Sequence, residues 1–389
     1  MDVIHQKTPG VVLLGDQTRV REAGLLEVLL ALSPDVTDAL QEEDPGVVET
    51  SPGTATPPDT VTPSSPERTR EAIRPEKSRT GTNGPGLVDS QTAKAIYTSL
   101  LRYTRVLGVD FSDDPFSDEL LRRGDLDFAI CFGGDGTVLR AAKRLQSLSV
   151  PLLAVNLGHL GFLADVAPEE LAETLSVLAW GVTSRLRSHL MLRCRVLRRP
   201  VAGVIGSATQ PDMAVSPCPE DPESDDVPEM IALNEVAVQT GTTFRQIDLR
   251  LAIDGETVAY YSGDGLILAT PVGSTAHTLS AGGPIIRHTL ESVLICPLNP
   301  HTLTMRPVVD SAERRYVITV IQADPGTSVV VDGVVLTPLS AGDRIEITRS
   351  ERCFRTIMPP RHSYYQTLRE KLGWSGRFAA RRDDAGKKL

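Results

Sequence analysis

A glycine-rich turn at positions 133–137, with the sequence Gly-Gly-Asp-Gly-Thr, is the feature that most constrains this chain. The apolar run 128–132 before it predicts a buried strand, and the apolar spacing of 137–145 after it predicts a helix. Glycine lets a backbone approach phosphate closely, and a helix N-terminus offers N–H donors to it. A carboxylate beside phosphate handles a proton or a metal ion. We therefore interpret Asp135 as the base in phosphoryl transfer to a hydroxyl.

Composition excludes several other classes of protein. The 389 residues suffice for two domains, and the net charge of −10 argues against nucleic acid as a partner. The five cysteines form no CxxC pair and the seven histidines show no metal-ligand spacing, which argues against a zinc site or a disulfide framework. Without a signal peptide or a long apolar stretch, we expect a cytoplasmic protein with no membrane partner.

The first part of the chain alternates strands and helices, an order that predicts an α/β domain with a parallel sheet. We assign residues 1–40 and 91–182 to this domain. Between them, 41–90 is predicted to be a disordered insertion, because 51–66 carries five prolines and no aromatic residue. The predicted elements are strands at 11–14, 128–132 and 150–156, and helices at 19–32, 91–103, 137–145 and 169–180.

Short alternating runs dominate 183–350 and predict an all-β, sandwich-like C-terminal domain. Residues 247–253 alternate as on a half-buried strand, and Asp254-Gly255 predicts a hairpin turn. The stretch 209–228 has five prolines and six acidic residues, and is predicted to be a second disordered insertion. Residues 351–389 are predicted to return to the α/β domain and to end in a basic tail.

Three further stretches carry polar groups suited to a ligand. Asn234-Glu235 interrupts an apolar strand and supplies donors and acceptors. Residues 262–270 place a second glycine-flanked aspartate, Asp264, before a strand. The following run, 271–284, is dense in small residues and hydroxyls, which lets a ligand lie against the backbone.

In this combination and order the sequence resembles the NAD kinase family, over roughly 125–165 and 231–350. The run from 263 to 284 is the most specific match, whereas the first ~120 residues and both insertions lie outside the family pattern. The matching stretches are 133–137, 156–162, Asn234-Glu235, 263–284, 300–303 and Arg306-Pro307.

The resemblance implies roles for individual residues. Asp135 corresponds to the residue that deprotonates the 2′-hydroxyl of the adenosine ribose of NAD, and Gly136 lets the dinucleotide pass. Arg140 and Arg245 correspond to positions that meet phosphate. Other ligand contacts are implied for Asn234, Glu235, Ser262, Asp264, Thr275, Ala276, His277, Thr278, Leu279 and Ser280.

The resemblance also implies the substrates, the cation and the oligomeric state. The donor is ATP or polyphosphate, with Mg²⁺ or another divalent cation bound to its phosphates rather than in a dedicated protein site. The acceptor is NAD, with NADH left open. Subunits of this family associate through the β domain, so we expect a homo-oligomer, a dimer or a tetramer.

Three positions depart from the family pattern. Val272 stands where Thr or Ser is frequent, His277 where Tyr is usual, and Val334 where Gln is common after Asp332-Gly333. Each change removes or alters a polar ligand contact. None of them touches the proposed base, so we expect effects on affinity and nucleotide preference rather than on the reaction.

Other functions compatible with parts of the sequence are a lipid kinase of the diacylglycerol type, a sugar-phosphate kinase of the phosphofructokinase type, and a non-enzymatic dinucleotide-binding protein. The first two share a GGDG turn. The run 273–284 argues against a lipid kinase, and the β-rich second half argues against a sugar-phosphate kinase. An intact Asp135 argues against binding alone, because binding requires no base.

Overall fold

The computed structural model describes residues 10–15, 17–23, 25, 29, 88–110, 126–146, 148–158, 161–178, 186–198, 227–241, 246–360 and 363–373. Most of the two predicted insertions, 41–90 and 209–228, lies outside the described residues, as do Arg245 and the basic tail.

A six-stranded sheet forms the centre of the first half. Its strands are β1 (Gly10–Gly15), β2 (Arg105–Asp110), β3 (Phe128–Gly133), β4 (Leu152–Asn156), β5 (Leu186–His189) and β18 (Phe354–Ile357). Their order is β2-β1-β3-β4-β18-β5. Neighbours from β2 to β18 run parallel, and only the last pair, β18 with β5, is antiparallel. This sheet confirms the predicted parallel α/β half.

The helices predicted at 91–103, 137–145 and 169–180 are present, whereas the helix predicted at 19–32 ends at Glu22 and Leu25 is not helical. They are α1 (Gln17–Glu22), α2 (Ser90–Tyr103), α3 (Asp135–Leu145), α4 (Leu171–Leu178), α5 (His277–Ser280) and α6 (Tyr364–Leu372). Helix α2 begins at Ser90, because the Asp89 carboxylate accepts N–H bonds from Gln91 and Thr92, both at 2.9 Å. The described residues resume at Val88, within the predicted bounds 41–90 of the first insertion. No helix in these described ranges is long and apolar enough to cross a bilayer.

Two six-stranded antiparallel sheets form the second half. One has the order β10-β9-β14-β17-β6-β7, and the other has the order β13-β12-β11-β8-β15-β16. The first contains β6 (Leu192–Leu197), β7 (Met230–Ala232), β9 (Ile247–Ile253), β10 (Glu256–Gly263), β14 (Tyr316–Gln322) and β17 (Arg344–Arg349). The second contains β8 (Glu235–Gln239), β11 (Gly265–Ala269), β12 (Ser292–Leu298), β13 (Val308–Ser311), β15 (Ser328–Val331) and β16 (Val334–Pro338).

One apolar core joins the two antiparallel sheets. Leu249 and Leu251 of β9 pack in the same buried cluster as Val236 of β8 and Leu266 of β11. The residues of β9 alternate between buried and part-exposed, as the sequence predicts. The predicted hairpin turn is also present: Asp254 and Gly255 adopt φ of 49° and 87°. The sandwich-like β half is therefore confirmed.

The boundary between the halves differs from the predicted position 183. Strand β5 pairs with β18 in the parallel sheet, so the β half begins after His189. Since β18 follows β5 by more than 160 residues, the local sequence gives no signal that these two strands pair. The halves also share a buried cluster, in which Val138 and Leu163 pack with Leu233 and Val272. The cleft described below is thus lined from both sides of a packed junction.

Candidate active site

A cleft of about 620 Å³ lies where the glycine turn meets the β half. The first half contributes Arg19, the turn residues 134–137 and one face of α3. The β half contributes Met230, Ile231 and the turn between β15 and β16. A lysine of α6, Lys371, completes the lining.

Asp135 lines this cleft and begins α3, two residues after the end of β3 at Gly133. Its Oδ2 accepts the N–H of Phe162 at 2.9 Å, and its Oδ1 accepts those of Leu163 and Ala164 at 3.1 and 3.2 Å. About a third of the side chain remains accessible. Three converging backbone donors hold the carboxylate in one orientation at the cleft wall, which positions it to receive a proton.

Two glycines are required by this packing. A Cβ on Gly133 would lie 2.4 Å from the Thr137 hydroxyl oxygen, and one on Gly161 would lie 1.9 Å from Asp135 Oδ1. Gly136 differs, because a Cβ there would meet no atom of the chain within 4 Å. Gly136 is exposed and lines the cleft. The fold does not require its missing side chain, so a ligand passing close to the turn gives the better explanation.

Four cationic side chains line the cleft. They are Arg19 of α1, Arg140 and Lys143 of α3, and Lys371 of α6, against the two carboxylates Asp135 and Asp332. Such an excess of cations beside a helix N-terminus suits a polyanion such as a triphosphate. Among the described residues, no group of three or more His, Cys, Asp or Glu side chains could hold a metal ion.

Asp332 joins the cleft to the Asn234-Glu235 strand. Its carboxylate accepts the N–H groups of Leu233, Asn234 and Glu235 at 2.8, 2.8 and 3.0 Å. Asp332 and Gly333 form a tight turn with φ of 48° and 78°. Burial raises the pKa of Asp332, and the three N–H bonds oppose that rise. Asp332 thus fixes the start of β8 relative to the cleft.

Glu235 lies buried beside this anchor. The pKa of Glu235 is raised to about 7, first by burial and second by the Asp332 carboxylate, while a hydrogen bond from the backbone N–H of His277 opposes the rise. Within the described part of the chain, Oε2 of Glu235 has no hydrogen-bond partner. Glu235 therefore connects β8 to α5 through one oxygen and leaves the other available.

The small-residue run next to Glu235 uses several of its hydroxyls internally. Thr275 donates to the Val272 carbonyl at 3.0 Å, and Thr278 donates to the Gly273 carbonyl at 2.8 Å. Thr278 is fully buried, Thr275, Ala276 and Leu279 are part-buried, and His277 and Ser280 are exposed. These bonds shape a compact turn that leaves His277 and Ser280 exposed, and none of the residues 275–280 lines the cleft.

Ser262 and Asp264 lie elsewhere. Strand β11 pairs with β8 so that Ala269 lies opposite Glu235 while Gly265 lies opposite Gln239. Asp264 therefore lies beyond the far end of the strand, about 13 Å or more from Glu235 along the sheet. It accepts a hydrogen bond from Asn299 at 2.7 Å. Neither Ser262 nor Asp264 lines the cleft, and Asn234 and Glu235 are also not among its lining residues. Arg245 lies outside the described residues.

Comparison with known proteins decides the family. The family described as ATP-NAD kinase N-terminal domain matches 113–181, and ATP-NAD kinase C-terminal domain matches 233–358. An NAD kinase of Rhodopirellula baltica is 38% identical over 293 residues, which cover 75% of this chain and 85% of that protein.

The chain belongs to the NAD kinase family.

Other NAD kinases and related folds agree. The enzyme of Methylococcus capsulatus is 38% identical over 260 residues, covering 67% of this chain and 80% of its own. A crystal structure of an NAD kinase from Archaeoglobus fulgidus in complex with ATP aligns with a TM-score of 0.54 at 27% identity, covering 72% of this chain and 96% of that one. Yeast NADH kinase complexed with NADH aligns with a TM-score of 0.61 over 95% of this chain and 89% of that one. At 19% identity it supports the fold alone.

Two departures from the NAD kinase pattern have distinct structural settings. Val272 is buried in the cluster that joins the halves, so its apolar side chain packs with Val138 rather than facing the cleft. Val334 lines the cleft and is half-exposed, so it occupies a place where an amide could meet a ligand. Of these two, only Val334 is placed to change ligand affinity directly.

Four cleft residues were missed by sequence reasoning as site residues: Arg19, Lys143, Asp332 and Lys371. Lys143 follows Arg140 by three positions on α3, so helical spacing alone was a usable signal. Asp332 belongs to an Asp-Gly turn, which the sequence indicated only through Val334, the residue that follows the turn. Arg19 and Lys371 come from opposite ends of the chain, and no local pattern connects them to the glycine turn.

Proposed function

We propose that this cleft transfers the terminal phosphate of ATP to the 2′-hydroxyl of the adenosine ribose of NAD, giving NADP, with Asp135 as the general base. The observation that carries the proposal is the oriented Asp135 carboxylate in a cleft lined by four cations. Family membership makes the chain an NAD kinase, and the assignment of roles to residues is our own.

The proton transfer follows from the geometry of Asp135. As the hydroxyl oxygen forms its bond to the terminal phosphorus, its proton passes to the Asp135 carboxylate and the bond to the β-phosphate oxygen breaks, releasing ADP. The three N–H bonds keep the carboxylate facing the cleft, so little reorganisation accompanies the reaction.

Binding of the donor phosphates is assigned to the cations of the cleft. Arg140 and Lys143 lie on one face of α3 and Arg19 lies near the glycine turn, where a Cβ on Gly134 would be 3.2 Å from its guanidinium. Long cationic side chains and the α3 N-terminus together neutralise a triphosphate. Polyphosphate would meet the same groups, and the experiment below separates the two donors.

The divalent cation belongs to the donor in this proposal. The two carboxylates of the cleft, Asp135 and Asp332, already accept three backbone N–H bonds each. Their remaining capacity fits one contact to an ion rather than a full coordination shell. Mg²⁺ bound to the phosphates of ATP neutralises their charge.

NAD is assigned to the cleft and its β-side wall. Asn234 and Glu235 remain predicted contacts of the acceptor, as does the wall formed by Thr275, Ala276, His277, Thr278, Leu279 and Ser280. Arg245, Ser262 and Asp264 remain predictions from the family pattern. Since Asp264 lies at the far end of β11, the predicted homo-oligomer, a dimer or tetramer joined through the β half, offers a route by which a neighbouring subunit brings that position to the dinucleotide. A cytoplasmic location likewise remains a prediction.

The test is an end-point assay. Purified protein is incubated with NAD, Mg²⁺ and either ATP or polyphosphate, and NADP is measured with an NADP-specific dehydrogenase. We expect NADP from the wild type and a fall of roughly 10²- to 10⁴-fold in Asp135→Asn with the fold retained. Asp248→Asn, a part-exposed aspartate on β9 that does not line the cleft, serves as the matched control. Near-normal turnover by a folded Asp135→Asn enzyme contradicts the proposed base.

A further inference from the structure

Helix α6 lies outside both stretches matched by the family, 113–181 and 233–358, yet it reaches the cleft. Its penultimate residue, Lys371, lines the cleft together with Asp135. The C-terminal segment therefore does more than complete the fold of the first half. It contributes a charged group within reach of the proposed base.

Lys371 makes two contacts at that point. Its Nζ lies 3.7 Å from Asp135 Oδ2 and 4.4 Å from the centre of the Phe162 ring. Phe162 in turn donates its backbone N–H to the same Oδ2. The ammonium therefore rests against both the carboxylate and the loop that holds it.

The helix that carries Lys371 is anchored from the β half. The Arg287 guanidinium lies over the rings of Tyr364 and Tyr365, at 5.6 and 5.5 Å, and donates to the Tyr365 hydroxyl at 3.0 Å. The His288 ring packs edge-on against Tyr364 at 5.7 Å. These contacts fix the orientation of α6, so the position of Lys371 does not depend on its own ion pair.

A solvated ion pair of little consequence is the simplest alternative. Most exposed pairs contribute little to stability, because water screens both charges. Here the Lys371 side chain is only 20% exposed. Burial lowers the pKa of Lys371, with Asp135 and Asp165 opposing that fall. Partial desolvation of the Lys371 ammonium beside the base costs free energy. A functional role explains this arrangement better than a surface ion pair does.

The acceptor capacity of Asp135 indicates what the role is. A carboxylate has about four acceptor sites, and three backbone N–H groups use three of them. The Lys371 ammonium faces the acceptor site of Asp135 that remains. A substrate hydroxyl that donates to Asp135 needs that same capacity, so it must displace Lys371.

We infer that Lys371 is a further catalytic residue: it pairs with Asp135 before the acceptor binds, yields to the acceptor hydroxyl, and then neutralises the phosphate being transferred. Hydrogen-bond reach places that hydroxyl about 3 Å from the carboxylate and the reacting phosphorus about 3–3.5 Å beyond it. The flexible four-carbon stem of lysine lets the ammonium move from the carboxylate toward that phosphate. The inference rests on the proposed role of Asp135.

The test uses full-length Lys371→Met and Lys371→Arg, with Arg369→Met as the control. Arg369 is an exposed cation on the same helix and does not line the cleft. We expect kcat to fall roughly tenfold in Lys371→Met while the Kd for NAD stays the same or becomes smaller, because no ammonium must be displaced. Lys371→Arg keeps kcat within about threefold of the wild type, and Arg369→Met leaves it unchanged.

Three results would overturn the inference. They are an unchanged kcat in Lys371→Met, an equal loss in Arg369→Met, and a loss in Lys371→Met that comes with weaker NAD binding and that arginine does not rescue. The third result would show that Lys371 has only a structural role.

A double-mutant cycle gives an independent measurement. Arg287→Met removes the anchor of α6 and is expected to lower kcat by a similar factor, with no further loss when it is combined with Lys371→Met. Fully additive losses contradict the inference. Turnover retained by Asp135→Asn would instead contradict the role of Asp135 as the base. A failure of the proposed function can therefore be distinguished from a failure of the inference about Lys371.

Discussion

Gly161 and Asp135 occupy adjoining space: a Cβ on Gly161 would lie 1.9 Å from Oδ1 of the Asp135 carboxylate. Gly161 immediately precedes the three residues whose N–H groups hold that carboxylate. The loop thus combines a missing side chain with convergent donors. Position 161 and position 135 are one structural unit although 26 positions separate them in sequence.

Gly161→Ala is expected to displace the Asp135 carboxylate. Overpacking of this kind costs about 1–3 kcal/mol of stability, and a misplacement of about 1 Å at a reacting group costs roughly 10²-fold in rate. Steady-state kinetics and thermal unfolding check both effects. An alanine enzyme with wild-type kcat would show that the position of the carboxylate does not matter for turnover.

Gly136→Ala makes the same chemical change where the chain leaves open space. We expect thermal stability to be retained or slightly raised, because the new Cβ meets no protein atom within 4 Å and alanine favours a helix over glycine. We also expect a KM for NAD raised about 3- to 10-fold, since the methyl group takes cleft volume from the ligand. Unaltered KM values would argue that no substrate approaches this face of the turn.

Arg140→Met and Lys143→Met are each expected to raise the KM for ATP about 3- to 10-fold and to reduce its dependence on ionic strength. The reason is that each removes one cation from the donor side of the cleft. Arg144→Met is the matched control, since Arg144 is on the same helix but not among the cleft residues. Equal effects in all three variants would indicate a general charge effect rather than contact with the donor.

Glu235→Gln is expected to change the pH dependence of stability. Because the pKa of Glu235 is raised from 4.5 to about 7, the folded state holds a proton there that the unfolded state has lost between those two pH values. Its contribution to stability is therefore present at low pH and is lost as pH rises through about 7.

The glutamine variant has no such carboxyl group and should be more stable than the wild type above pH 7 by about 1–3 kcal/mol. Denaturant unfolding at a series of pH values measures the difference. Parallel curves for the two proteins would contradict the raised pKa.

Val334→Gln tests the departure at the cleft. An amide at this half-exposed position is expected to lower the Kd for NAD about 2- to 10-fold, because it adds a hydrogen-bonding group where valine has none. Val335→Gln is the control, since Val335 is exposed and does not line the cleft. Equal affinity of Val334→Gln and wild type would place the ligand away from this turn.

The residues near the turn were predictable because their signals are local. The apolar run of β3, the glycine turn and the periodicity of α3 are contiguous, and the structure has all three. The strand β9 and its Asp254-Gly255 turn were predictable for the same reason. Local chemistry determines these elements, and tertiary contacts only add to it.

Other parts of the site depend on long-range assembly. Arg19 and Lys371 reach the cleft only because α1 and α6 bring them beside the glycine turn. The hydroxyls of Thr275 and Thr278 suggested ligand contacts in the sequence, whereas backbone carbonyls accept from both. A sequence shows which groups can form hydrogen bonds but not which partner is nearer.

The position of β18 has a consequence for synthesis. This strand, Phe354–Ile357, lies between β4 and β5 in the parallel sheet, although it follows both by more than 160 residues. Val166 pairs with the end of β4 at Val155, whereas β18 pairs with its start at Leu152. While the nascent chain is emerging, the edge of β4 at Leu152 therefore stays unpaired until β18 has been made. The first half cannot finish folding before the β half has been made. A chain that stops short of Ile357 retains that open edge, which makes such a fragment a substrate for chaperones or for aggregation rather than an independent α/β domain.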